Sequence, residues 1–227
     1  MTRAPILAID TSGSFCSVAI RVADGVVHDR VSGGAGDHFE QLPNLVRAVC
    51  EDARISLSEL REIRIGVGPG SFTGLRIGMS YAKGVAMAVQ APLVGVSSFY
   101  GVAVAAMAGT TSCPKRIMVV SDARRDEVFL GQFEMQKGGV VGIGAESIET
   151  VPRLRDLVAQ NPGSLVLSPL KGFAVDGISV VEEPRSAVGI VAAGAPEASF
   201  SVEGVALSEP NYLRSVSAKT IEERRGG

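Results

Sequence analysis

Residues 68–78 read Gly-Pro-Gly-Ser-Phe-Thr-Gly-Leu-Arg-Ile-Gly, directly after an apolar run at 63–67 and at the start of a helical pattern over about 73–90. Gly70, Gly74, Gly78, Ala82 and Ala86 stand four apart, so on a helix they form one stripe of small side chains. Glycine inside a helix costs about 1 kcal/mol relative to alanine. A run of them argues that something packs close to the backbone. Two readings are open: the helix is wedged against its own sheet, or its stripe receives a partner helix. Both hold together if they use opposite faces.

The rest of the chain alternates short apolar runs with helical periods. Strands are expected at 6–11, 15–22, 26–31, 63–67 and 92–96, with Asp24-Gly25 as a hairpin turn. Helices are expected at about 38–53, 73–90 and 97–108. Gly33 to Gly36 reads as a loop and Asp37 as a helix cap, while Pro43 either kinks the helix that follows or marks its first turn. Thr110 to Lys115 is polar, contains Pro114, and reads as a junction. A strand then recurs at 116–121, followed by β-rich segments at 126–136 and 139–149 and a strand at 164–168, with helices at 151–160 and 186–194, while 169–185 has no clear pattern. Two α/β halves that each open with antiparallel strands point to a duplicated, actin-like architecture rather than to the βαβ opening of a dinucleotide-binding domain.

Strand, glycine turn and helix together also suit a phosphate, but the spacing does not. No lysine stands where a P-loop needs one, and Gly68 and Gly70 are followed by Thr73 where the dinucleotide fingerprint needs glycine. Asp10 closes the first strand and leads into Thr11 and Ser12. It is either the magnesium-side carboxylate of a nucleotide loop or a cap for its own loop's N–H groups. Asp10, Thr11 and Ser12 are therefore candidates for a vestigial nucleotide loop. Gly138-Gly139 reads as a hairpin turn.

The net charge of −2 and the dispersed Lys and Arg residues do not make this chain a main docking surface for nucleic acid. Arg124-Arg125 and Arg224-Arg225 both sit beside acids. Asp122, Arg124, Arg125, Asp126 and Glu127 read either as a solvated edge or as polar contacts for a partner. Cys16, Cys50 and Cys113 lack zinc or disulfide spacing and read as reduced, buried thiols. No apolar run is long enough to span a membrane, and the N-terminal run is too short for a signal peptide, so a cytoplasmic location is expected. Ser71 is not in a nucleophile elbow and neither His28 nor His38 is placed to serve it, which argues against a serine hydrolase. The tail from Glu222 to Gly227 reads as frayed.

The glycine block at 68–78 resembles the signature of the TsaB (YeaZ) family. Leu7 to Ser12, His38-Phe39-Glu40-Gln41-Leu42-Pro43, Asp122 to Phe129 and Pro210-Asn211-Tyr212-Leu213-Arg214 match further blocks of that family in order. Phe39 and Phe129 stand where relatives carry serine and tyrosine, and Ser168 to Gly172 replaces a more glycine-rich loop.

The resemblance implies an actin-like, hexokinase-like two-lobed fold with ribonuclease-H-like lobes and mixed sheets. Residues 1–109 would form the N-terminal lobe and 110–227 the C-terminal lobe, with the tail at 209–227 returning toward the first. It implies a non-catalytic subunit of the assembly that makes N6-threonylcarbamoyladenosine at position 37 of tRNA. Its partners would be the TsaD catalytic subunit and the TsaE ATPase, with a homodimer when alone and tRNA engaged only indirectly. ATP and a metal ion would sit on the partners, with none bound by this chain alone. Family members use the first two long helices for contact, and here the candidates are Leu42, Leu45, Val46, Val49, Met79 and Met87, with Arg76 and Lys83 as polar partners. The catalytic paralogue holds metal through His-x-x-x-His; in this chain Leu42 stands four after His38, so no such pair forms and no metal residues are expected. The alternative is an ATPase or small-molecule kinase of the same fold, active by itself.

Overall fold

Strand β1 (Ile6–Asp10) is buried at every position, as a continuous apolar run requires of a central strand covered on both faces. In the computed structural model the described residues are 4–22, 25–32, 38–108, 114–194 and 199–213. Asp24, Gly33 to Asp37, the junction at 110–113 with Cys113, Arg214 and the charged tail lie outside them, as do the side chains of His38 and Phe39.

β1 pairs antiparallel with β2 (Ser17–Arg21), which pairs antiparallel with β3 (Val27–Val31). On its other side β1 pairs parallel with β4 (Glu62–Gly66), which pairs parallel with β5 (Leu93–Val96). The order is β3-β2-β1-β4-β5. Helix α1 (His38–Ala53) connects β3 to β4, and α2 (Phe72–Val89) connects β4 to β5. Helix α3 (Ser98–Met107) follows.

The second half repeats this plan. β6 (Ile117–Arg124), β7 (Glu127–Gln136) and β8 (Gly139–Gly142) form an antiparallel meander. β9 (Ser147–Thr150) adds to the far end of β7, helix α4 (Val151–Gln160) follows, and β10 (Leu165–Ser168) and β11 (Val180–Glu182) pair parallel beyond β6. The order β8-β7-β6-β10-β11 matches the first sheet strand for strand and direction for direction. Two ribonuclease-H-like halves with mixed sheets make an actin-like fold. The halves differ at two places: β9 has no equivalent in the first sheet, and where α2 bridges β4 and β5, residues 169–179 join β10 to β11 without a helix.

The helices after the last strand of each half are exchanged. Helix α3 brings Phe99, Val102 and Ala103 against Ile117, Val119 and Phe133 of the second sheet. Helix α5 (Ser186–Ala192) brings Ala187, Ile190 and Val191 against Ile6, Ala8 and Ala19 of the first. The outer faces are covered by α1 and α2 on the first sheet and by α4, through Leu154, on the second. A fully buried side chain of this kind contributes about 1.5–3 kcal/mol. Arg64, on a central strand and 4% exposed, donates to the carbonyls of Ile190 at 3.1 Å, Val191 at 3.2 Å and Ala193 at 2.5 Å, and pairs with Glu62 at 2.5 Å. Arg21 donates to Val191 O at 2.8 Å. Two cations thus meet the carbonyl end of α5, where the helix dipole favours them.

Several expectations need correction. Pro43 is the sixth residue of α1, inside the helix and not in its first turn. Helix α6 (Val202–Leu207) was not foreseen; Val205 is buried in the first core, and Lys83 Nζ donates to Ala206 O at 2.7 Å. A division at 109/110 does not follow the packing, because α3 sits on the second sheet while α5 and α6 sit on the first half. No described helix is long and apolar enough to cross a membrane.

Candidate functional site

The glycine stripe faces inward. A Cβ on Gly74 would overlap the Thr11 carbonyl oxygen, one on Gly78 the Thr11 hydroxyl, and one on Gly70 the Ser12 carbonyl oxygen. Thr11 Oγ1 donates to Gly74 O at 2.7 Å, and Ser71 N donates to Ser12 O at 2.8 Å. Ser71 caps α2 by accepting from Gly74 N at 3.2 Å. The helix start is therefore pressed onto the β1–β2 loop, and of the two readings the wedge against its own sheet describes Gly70, Gly74 and Gly78.

That loop has committed most of what a phosphate would use. Asp10, 1% exposed, accepts through Oδ1 from Ser12 N at 2.9 Å and from Ser98 Oγ at 3.1 Å. It caps its own loop and ties it to the first residue of α3. Ser14 N donates to Pro169 O at 3.2 Å, and Gly13 lies against Pro169. The loop is thereby closed onto the second half. Asp10 Oδ2, Ser12 Oγ and Ser121 Oγ are nonetheless buried with no hydrogen-bond partner among the described residues. Ser12 and Ser121 border a cleft of about 640 Å³ between the halves, together with Thr73, Asp122, Arg125 and Tyr212.

On the opposite wall the β6–β7 hairpin turns through Arg124, Arg125 and Asp126, with φ of 69°, 59° and 59°. Side chains in this left-handed region cost about 1–2 kcal/mol each. Asp122 Oδ1 accepts from Arg124 N at 2.7 Å, and its other oxygen meets Arg124 Nη1 at 3.4 Å. The Arg124 side chain is 86% exposed, so this pair is the solvated edge that surface ion pairs usually make.

The expected partner residues divide by burial. Leu42, Val46, Val49 and Met79 are core residues. They point at the first sheet because the apolar stripe of each helix is consumed by its own fold, and of the four only Leu42 also lines the groove between the two helices. Leu45 and Met87 are partly buried against that core, and Lys83 is engaged with Ala206. Arg76 is exposed. What α1 and α2 leave open is a groove of about 960 Å³ bordered by Glu40, Pro43, Phe72, Ile77, Ser80 and Tyr81, with Arg76 on its rim.

At the top of that groove is a cluster that the sequence reading passed over. The Arg76 guanidinium lies 4.0 Å from the Phe72 ring centroid, and Phe72 and Tyr212 rings are 5.3 Å apart. Asn211 N donates to Val67 O at 2.7 Å and holds this strap in place. Phe72 and Thr73 border both the groove and the cleft, so one wall serves both. The available signal was Phe72 itself, a large apolar residue at the exposed start of a helix, together with the aromatic in Pro210-Asn211-Tyr212. Cys16 and Cys50 are buried. Burial, then the neighbouring Asp10 charge, pushes the Cys16 thiol up to about 12, and burial followed by Glu51 raises that of Cys50.

The family described as TsaD, tRNA N6-adenosine threonylcarbamoyltransferase, matches over residues 26–220. The Escherichia coli K12 tRNA threonylcarbamoyladenosine biosynthesis protein TsaB is 33% identical over 135 residues, 60% of this chain and 57% of that protein, so the match spans little more than half of that relative's length. The structure of YeaZ from Pseudomonas aeruginosa superposes with a TM-score of 0.61 at 32% identity, covering 66% of this chain and 69% of that one. A second structure, described as an uncharacterized protein with similarity to peptidase YeaZ from Pseudomonas aeruginosa, reaches 0.72 at 25% identity over 93% of this chain and 100% of that one.

Proposed function

This chain belongs to the TsaB (YeaZ) family, and from that premise we propose that it is the supporting subunit of a tRNA threonylcarbamoyladenosine assembly, binding a TsaD-type catalytic subunit through the α1/α2 groove. The observation that carries this is the groove itself: an apolar surface whose charged rim, among the described residues, is Arg76 and Glu40, left after both helices have filled their own core. Apolar burial there is worth about 25 cal/mol per Å². Glu40 and Arg76 on its rim also suit a second copy of the chain, since a two-fold axis brings each to the other. We therefore assign the same surface to the homodimer formed in the partner's absence. TsaE, tRNA, ATP and metal would be engaged through the partners, in the cytoplasm.

The groove is an association surface, and the committed β1–β2 loop supports a role without chemistry of its own. The test is reconstitution of tRNA modification from threonylcarbamoyl-AMP, TsaD-type and TsaE-type subunits, with and without this chain. Full product formation in its absence would refute the proposal.

The buried, unpartnered Asp10 Oδ2, Ser12 Oγ and Ser121 Oγ favour a second reading, a nucleotide held in the cleft by an enzyme active alone. Calorimetry with ATP and magnesium separates the two: binding that Asp10→Asn abolishes supports the second reading, and no binding disposes of it.

A further inference from the structure

The terminal strands of both sheets border one groove. β5 ends the first sheet and β8 ends the second, and Val94, Gly95, Val96, Val140, Val141 and Gly142 all line a cavity of about 690 Å³ on the far side of the 211–213 strap from the cleft. The backbone of an edge strand is half used. Pro92 O and Val96 O accept from β4, so by alternation the N–H and C=O of Leu93 and Gly95 point away from the sheet. Ile143 N donates to Gln132 O, which fixes the parity of β8 and leaves those of Val140 and Gly142 pointing away from β7.

Both edges are short, four residues each. Gly95 inside β5 and Gly142 at the end of β8 leave the backbone bare of side chains, and neither strand itself contains lysine or proline. The floor is apolar: the Tyr100 and Phe133 rings meet edge to face at 6.2 Å. Glu146 enters at one end, half-buried, its carboxylate accepting from the Ser97 hydroxyl at the start of α3. It forms no ion pair among the described residues, and no Lys or Arg borders the groove.

We propose that this groove receives an extended polypeptide segment of a partner protein as an added β-strand, hydrogen-bonded to the Gly95 and Gly142 edges, with apolar side chains on Tyr100 and Phe133 and one basic side chain at Glu146. Two edges with outward backbone groups unpaired among the described residues suit a strand, because an extended backbone supplies alternating donors and acceptors. The lone carboxylate specifies the sign of the charged residue. The segment is independent of the α1/α2 groove, so the two sites can fail separately.

The probe is the peptide acetyl-Val-Lys-Val-Thr-Val-amide, added to the full, isotope-labelled chain. Binding is followed by titration and by amide hydrogen exchange. Saturable binding is expected, with slowed exchange at Leu93, Gly95, Val140 or Gly142. The same peptide with its backbone nitrogens methylated should not bind, and Glu146→Gln should weaken the lysine peptide about tenfold while leaving a norleucine version unchanged. The proposal is overturned by an absence of binding at millimolar peptide, by binding without protection of those amides, or by equal binding of the methylated peptide. Protection that grows with protein concentration alone would instead assign the groove to a second copy and also overturn it.

Discussion

Gly101 of α3 and Gly189 of α5 meet backbone against backbone: a Cβ built on Gly189 would overlap the Gly101 carbonyl oxygen, and one on Gly101 would come within 2.6 Å of Ser186 O. The two exchanged helices cross at this point, so it is where the halves are stitched together. Gly189→Ala must push them apart, and we expect a loss of about 1–3 kcal/mol, read as a lowered urea midpoint with an unchanged slope.

The α2 glycines separate by what they face. Gly78→Ala drives a methyl into the Thr11 hydroxyl and should destabilise the chain, whereas Gly84, exposed with nothing within 4 Å, has room. Gly84→Ala should therefore stabilise by about 0.5–1 kcal/mol through helix propensity alone. Thermal melts of the pair should shift in opposite directions.

Ser80→Arg places a charge in the α1/α2 groove from an exposed position and should leave the melting temperature unchanged while abolishing copurification with a TsaD-type subunit. Met79→Asp, one residue earlier, buries a carboxylate in the core and should fail to fold. If Ser80→Arg copurifies normally, the groove is not the contact.

Burial raises the Glu146 carboxyl above its usual range, partly offset by the Ser97 bond. The folded chain then holds this proton more tightly than the unfolded one. Glu146 favours folding below its ordinary pKa of 4.5, and that contribution is lost as pH rises through the folded value. Glu146→Gln should match the parent's stability near pH 4 and exceed it at pH 7, measured as denaturant midpoints across that range.

The Cys16 and Cys50 thiols are buried and their pKa values raised, so iodoacetamide at pH 8 should leave both unmodified in the native chain and label both in urea. Peptide mapping by mass spectrometry reads this directly. Rapid native labelling at Cys16 would contradict the packing of β2 against α1.

Most of the elements were legible because apolar runs and helical periods are local signals. The duplicated order could be anticipated from two meanders, each followed by alternating strands and helices. What covers an apolar stripe is not local. Leu42, Val46, Val49 and Met79 announce a helix face, but the same spacing serves a core or a partner, and only the position of the first sheet decides between them. The exchange of α3 and α5 was invisible for the same reason. Arg64 was the missed signal: a lone charge inside Ile63-Arg64-Ile65 has to be paired if the strand is central, and here it holds a helix end contributed by a segment more than a hundred residues away. Helix α6 is six residues long, too short for its period to register.

The bare crossing from β10 to β11 bears on stoichiometry. A body made of two matching halves, each with a two-helix outer face, would offer two docking stations and could be joined end to end without limit. With the 169–179 stretch carrying no helix, one half alone presents a two-helix groove of this kind among the described residues, so under the proposed function that groove would take up one partner per chain.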